Sequence, residues 1–191
     1  MCGRICYTRY ALQKAQRLFG FAEEFQAAAE GTINPSDLTV IIGGKDGEYS
    51  VQEAKWGFAG KEGSLVINAR SESIFTKPMF SSSALYRRCL VPAERFFEWT
   101  PEKEKVGFKD PNTDVMYLAG LWKYSENELR FVVITAPANK SVSDVHDRMP
   151  LLIGESEARA WIFDEKEAQK LLGKTLPDLV QIREEEQLKM F

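Results

Sequence analysis

VMYLAGLWKYSENELRFVVITA, residues 115–136, decides the fold. It holds two apolar runs, VMYLAGLW (Val115–Trp122) and LRFVVITA (Leu129–Ala136), broken by a polar stretch around Asn127. Runs this short, rich in branched and aromatic side chains and bounded by turn residues, are predicted to be strands. Moving toward the amino terminus, RFFEW (Arg95–Trp99), RCLVP (Arg88–Pro92), LVIN (Leu65–Asn68) and the weakly alternating YSVQEAKWGF (Tyr49–Phe58) read the same way. LTVII (Leu38–Ile42) reads as a buried strand, GGKDG (Gly43–Gly47) as a turn, and GTINPSD (Gly31–Asp37) as a loop. From Ala11 to Glu30 the pattern is helical, with Leu12, Ala15, Leu18, Phe19, Ala22 and Phe25 at three- and four-residue spacing and Gly20 in its middle. Beyond the central runs, Ser156–Phe163 and Glu165–Leu172 are predicted helices with charged outer faces. Pro177 is expected to stop the second, and LVQI (Leu179–Ile182) to form a last strand. The expected architecture is α+β: a single domain over residues 1–191, mainly antiparallel β-strands in a barrel-like mixed sheet, with flanking helices.

Composition narrows the class. A chain of 191 residues with 44% hydrophobic and 12% aromatic side chains suits one globular domain. At that length it buries about 70% of the surface its unfolded chain exposes, enough for a core without disulfides. There is no apolar run of membrane-spanning length, and MCGRICYTRY lacks a signal-peptide core, so a cytoplasmic location and no membrane partner are expected. In that compartment Cys2, Cys6 and Cys89 stay thiols. One histidine and no CxxC pair argue against a zinc site, and neither metal nor cofactor is expected. A net charge of −3 argues against a chain coated in nucleic acid but permits a local basic groove. Part of the negative charge is local, in an acidic tail over residues 184–191 that begins Glu184, Glu185, Glu186.

Four segments carry potential chemistry. Removal of Met1 would leave Cys2 with a free α-amine beside its thiol. That amine titrates near 7.7–8.0, about neutral, and can form a Schiff base with an aldehyde, on which the thiol closes to a thiazolidine. Alternatively the thiolate attacks an amide with the amine as base; on position alone, Cys2 reads first as an ordinary residue near a frayed terminus. INARSES (Ile67–Ser73) ends an apolar strand with Asn68 and Arg70, either site groups or an ordinary strand end. Glu98 stands among Phe96, Phe97 and Trp99. Facing inward, it has a raised pKa suited to proton transfer; by simple alternation it faces water. The only histidine, His146, lies in the polar segment VHDRMP between Asp144 and Asp147.

MCGR at the start, NPS at Asn34, WGF at Trp56, INAR at Asn68, FFEW at Glu98 and ITAPAN leading to VHDRMP together resemble the SRAP family of abasic-site processing proteins. The match runs from Met1 to about Ile153. The resemblance implies a protein that binds single-stranded DNA and forms a covalent thiazolidine between Cys2 and the ring-opened abasic sugar, after self-removal of Met1. Asn68, Glu98 and His146 complete the implied catalytic set. In this reading Glu98 is the acid/base group, His146 assists proton transfer at the sugar, and Asn68 orients the terminus. Arg4, Asn34, Arg70, Thr135 and Arg148 are the implied DNA-binding residues, and a monomer is expected. One departure is the loop AGKEGS (Ala59–Ser64), which has no aromatic residue where the family usually carries tryptophans. The competing readings are an amino-terminal-nucleophile hydrolase, either a glutamine amidotransferase or a self-processing peptidase, and a non-catalytic single-strand binder.

Overall fold

The computed structural model describes residues 2–21, 31–125 and 127–183. In chain order they form β1 (Ile5–Tyr7), α1 (Arg9–Phe19), β2 (Gly31–Ile33), β3 (Leu38–Lys45), β4 (Glu48–Trp56), β5 (Phe58–Ala59), β6 (Leu65–Val66) and β7 (Asn68–Arg70). Next come α2 (Ser81–Tyr86), β8 (Arg88–Ala93), β9 (Arg95–Trp99), β10 (Lys105–Lys109), β11 (Met116–Ser125) and β12 (Glu128–Pro137). The chain ends with β13 (Arg148–Pro150), β14 (Leu152–Ile153), α3 (Ala158–Phe163), α4 (Glu165–Leu171) and β15 (Val180–Arg183).

The two apolar runs pair as an antiparallel ladder from Gly120↔Val133 to Ser125↔Glu128. Both are long enough to meet further strands on their outer edges. β12 takes the end of β4 in parallel, β4 pairs with β3, β3 with β8, and β8 with β11, so the sheet closes on itself as a five-stranded barrel. Closure removes exposed edges, and the stacked Trp56 and Phe131 rings, 5.9 Å apart, belong to its core. β7 and β13 extend the barrel along the last residues of β12. A second sheet, β15–β10–β9–β1–β2, is antiparallel throughout. The expected α+β architecture, with mainly antiparallel strands and a few helices, is what forms.

Several boundaries differ from expectation for local reasons. The first helix stops at Phe19, not Glu30: Gly20 adopts a left-handed conformation (φ 71°), and its N–H closes on Gln16 O at 2.9 Å. Ala22 and Phe25 fall in residues 22–30, outside the described residues, as does the acidic tail 184–191. The strand that begins LTVII continues through Gly43 and Gly44, and only Asp46 and Gly47, both at positive φ, make the turn into β4. Gly31–Ile33 is a strand, not a loop, because it pairs with Cys6 and its neighbours in β1. α4 ends at Leu171, well before Pro177.

Buried Arg88 ties two helices to the barrel. Its guanidinium donates to Ala84 O and Leu85 O at the end of α2, and to Trp161 O and Ile162 O in α3. These carbonyls have no partner within their own helices, so one cation satisfies both ends. Among the described residues, no helix is long and apolar enough to cross a membrane.

Candidate active site

The amino terminus is built into the interior. β1 runs between β2 and β9, and Phe97 N–H donates to Arg4 O at 2.9 Å, which carries the preceding residues inward. Cys2 is fully buried. Its carbonyl accepts a hydrogen bond from Asn68 Nδ2 at 2.8 Å, joining the second sheet to β7. Its Sγ lies 4.0 Å from Arg4 O. Burial pushes the Cys2 pKa well above the ordinary thiol range, and the negative charge of Glu98 pushes it further, so sulfur is held as a thiol at neutral pH.

Glu98 takes the inward alternative. It is only 2% exposed, in a strand whose Phe96 and Phe97 are buried and whose Trp99 is half-buried. Burial raises its carboxyl pKa, His146 opposes the rise and Asp147 adds to it. A buried carboxyl whose pKa is raised above the ordinary glutamate value, beside a thiol, is a proton-transfer group by environment.

The other wall comes from β7, β12 and β13. Register pairs Asn68 with Val133, Arg70 with Thr135, Thr135 with Pro150, and Pro137 with Arg148. Side chains two residues apart share a face, so Asn68, Arg70, Thr135 and Arg148 all project from one side. Thr135 and Arg148 are buried, Asn68 is half-buried and Arg70 is exposed. Three buried polar atoms on this face, Asn68 Oδ1, Thr135 Oγ1 and Arg148 Nε, have no hydrogen-bond partner among the described residues. Buried polar groups are normally satisfied, and such a cluster suits a polar ligand.

Arg148 is not a free cation. Glu72 receives Nη1 and, at 2.9 Å, Nη2 of its guanidinium, and Nη2 also donates to Thr135 O at 2.5 Å. Arg148 holds the Glu72 carboxyl at about 2. Sequence reasoning did not single out Glu72, although it lies within INARSES; an acid two residues after Arg70 was the available signal. The Arg148 N–H donates to His146 Nδ1 at 3.0 Å, and Asp147 Oδ1 stands 2.9 Å from the same nitrogen.

Arg4 and Asn34 pair close to the amino terminus. Arg4 Nε–H donates to Asn34 Oδ1 at 2.9 Å, and the guanidinium lies 4.9 Å above the Trp99 ring. Asp37 accepts from both Asn34 N and Nδ2, and Ser36 takes a left-handed conformation (φ 75°) to complete the turn. The result is a buried thiol, a buried carboxyl and an imidazole, beside orphan polar atoms and three arginines.

Comparison with known proteins identifies the family. The family model described as SOS response associated peptidase (SRAP) matches residues 1–190. The Bacillus subtilis abasic site processing protein YoaM is 31% identical over 154 residues, covering 73% of this chain and 67% of its own. YedK of Escherichia coli, also named an abasic site processing protein, is 26% identical over 154 residues, covering 73% and 68%. The crystal structure of a phage-related protein from Bordetella bronchiseptica superposes with a TM-score of 0.78 at 23% identity, over 95% of this chain and 93% of that one. At that identity it establishes the fold alone. With the whole-length family match and the relatives, the conclusion is that this chain belongs to the SRAP family.

Proposed function

We propose that this protein traps abasic sites in single-stranded DNA through Cys2, exposed as the amino-terminal residue when Met1 is removed. The carrying observation is the placement of Cys2: an amino-terminal cysteine is buried against Glu98 and tied by its carbonyl to Asn68, where a frayed terminus would be solvated. The ring-opened abasic sugar presents an aldehyde. The α-amine of Cys2 adds to the aldehyde carbon, and water leaves to give the imine. The thiol then adds across the imine, its sulfur bonding to carbon and its proton passing to nitrogen, which closes the thiazolidine. Overall, amine, thiol and aldehyde give the ring and one water.

Glu98 supplies the proton that lets hydroxide depart as water and recovers one from the thiol. Its raised carboxyl pKa suits both directions. His146 assists at the sugar oxygen. Asn68 holds the Cys2 carbonyl and so fixes the direction of the α-nitrogen. Exposed Arg70, with the paired Arg4 and Asn34, bears on phosphates without reading base identity. While Met1 is attached, the Cys2 nitrogen is an amide and cannot form the imine. Self-removal of Met1 uses the same thiol, amide and carboxyl, which accords with the peptidase in the family's description.

The test is denaturing gel analysis after mixing the purified protein with abasic single-stranded DNA, alongside glutamine with an ammonia assay. A heat-stable shifted band and no ammonia are expected. Ammonia release without a band would move the function to glutamine hydrolysis.

A further inference from the structure

Arg148 opens β13, in antiparallel register with the end of β12. Ala138 N–H donates to Asp147 O, so the adjacent Pro137–Arg148 pair falls at a non-hydrogen-bonded position. The Arg148 N–H therefore points away from β12, and it is this N–H that meets His146 Nδ1. The ladder bond at Asp147 holds the backbone beside Arg148, and the side chain of Arg148 adds a second anchor. Glu72 grips both terminal nitrogens, and Thr135 O accepts one of them. Meanwhile Asp147 competes for His146 Nδ1. When the Arg148 N–H donates, Nδ1 must be unprotonated and the neutral ring carries its proton on Nε2; if Arg148 recedes, Asp147 favours a proton on Nδ1.

The geometry points to Glu72 as a positioning residue that sets the tautomer of His146 through Arg148. The Glu72 carboxylate is taken up by the guanidinium, and its side chain is half-exposed. It acts by holding Arg148, as the partner behind a catalytic histidine commonly does. The proposal rests on the crosslinking reading for its kinetic consequence but not for its structural one.

Because His146 is the only histidine, nitrogen-15 NMR of histidine-labelled protein reports this ring alone. The wild type should show one ring form, with Nδ1 accepting and the proton on Nε2. Glu72→Gln, and independently Arg148→Lys, which keeps the charge but loses the two-pronged grip, should both shift the ring toward the Nδ1–H form. With abasic DNA at saturation, Glu72→Gln should crosslink about tenfold more slowly, a fraction of the 10²–10⁴ that a placed acid/base group contributes. Its DNA affinity should not fall. The double variant should be no slower than the slower single. An unchanged ring tautomer in both variants would overturn the assignment, as would a Glu72→Gln protein that loses rate and affinity in equal measure. If the wild type forms no adduct while the tautomer still shifts, the positioning stands and the crosslinking reading falls.

Discussion

Glu98→Gln separates two effects that a general loss of structure would move together. The substitution keeps shape and volume in a site only 2% exposed, and removes the titrating proton. A placed acid/base group contributes about 10²–10⁴-fold, or about 3–5.5 kcal/mol of barrier at 1.4 kcal/mol per tenfold. Single-turnover crosslinking should slow by that factor in protein whose mass confirms loss of Met1. The Cys2 thiol should change in the opposite sense. The Glu98 charge helps hold that thiol protonated, so its removal favours the thiolate, and alkylation of Cys2 by iodoacetamide should become faster. Stability supplies a third sign. The folded wild type binds the Glu98 proton more tightly than the unfolded chain. That stabilisation is complete below the ordinary glutamate value of about 4.3 and is lost as pH rises through the raised folded value. Relative to Glu98→Gln, the wild type should therefore lose stability from mildly acidic toward neutral pH. Unchanged crosslinking, or crosslinking and alkylation falling together, would refute the proton-transfer role.

Three further outcomes are expected. Cys2→Ala should form no stable adduct while keeping an α-amine, so borohydride should still trap an imine and the DNA should be nicked by β-elimination; heat-stable adducts at wild-type rate would count against Cys2. Exposed Arg70→Ala should lower the slope of log affinity against log salt by about one and weaken all flanking sequences alike. Arg88→Met should leave four helix-end carbonyls without their shared donor and cost about 3 kcal/mol or more in denaturant unfolding, without altering the crosslinking rate of the folded fraction.

The strands were legible because their signal is local. Branched and aromatic runs such as LRFVVITA and RFFEW carry their own boundaries, and β12 and β9 appear where those runs lie. The barrel's closure was legible only as a class, because β4 meeting β12 in parallel depends on contacts between residues 75 positions apart, as in Lys55 with Arg130. β2 was missed because GTI is too short to read as a strand alone and exists only by pairing with β1. At the site, the family resemblance put Cys2, Asn68, Glu98 and His146 into one set; in the fold Asn68 bonds the Cys2 carbonyl, and charge interactions link Glu98 to Cys2 and to His146. The direction of Glu98 was open because alternation fails where Phe96, Phe97 and Glu98 are all buried between layers. The Glu72–Arg148 grip was invisible for a different reason. It joins groups 76 residues apart, and no local pattern distinguishes an arginine held by a carboxylate from one left for phosphate.

The most direct test is intact mass spectrometry of the product formed on an abasic single-stranded oligonucleotide, with an aldehyde-free oligonucleotide as control. The expected mass is that of the chain without Met1, plus the oligonucleotide, minus one water, with the link mapped to Cys2 after digestion. An adduct of that kind formed by protein that uniformly retains Met1, or one mapped to a lysine, would contradict the assignment of Cys2 as the trapping residue.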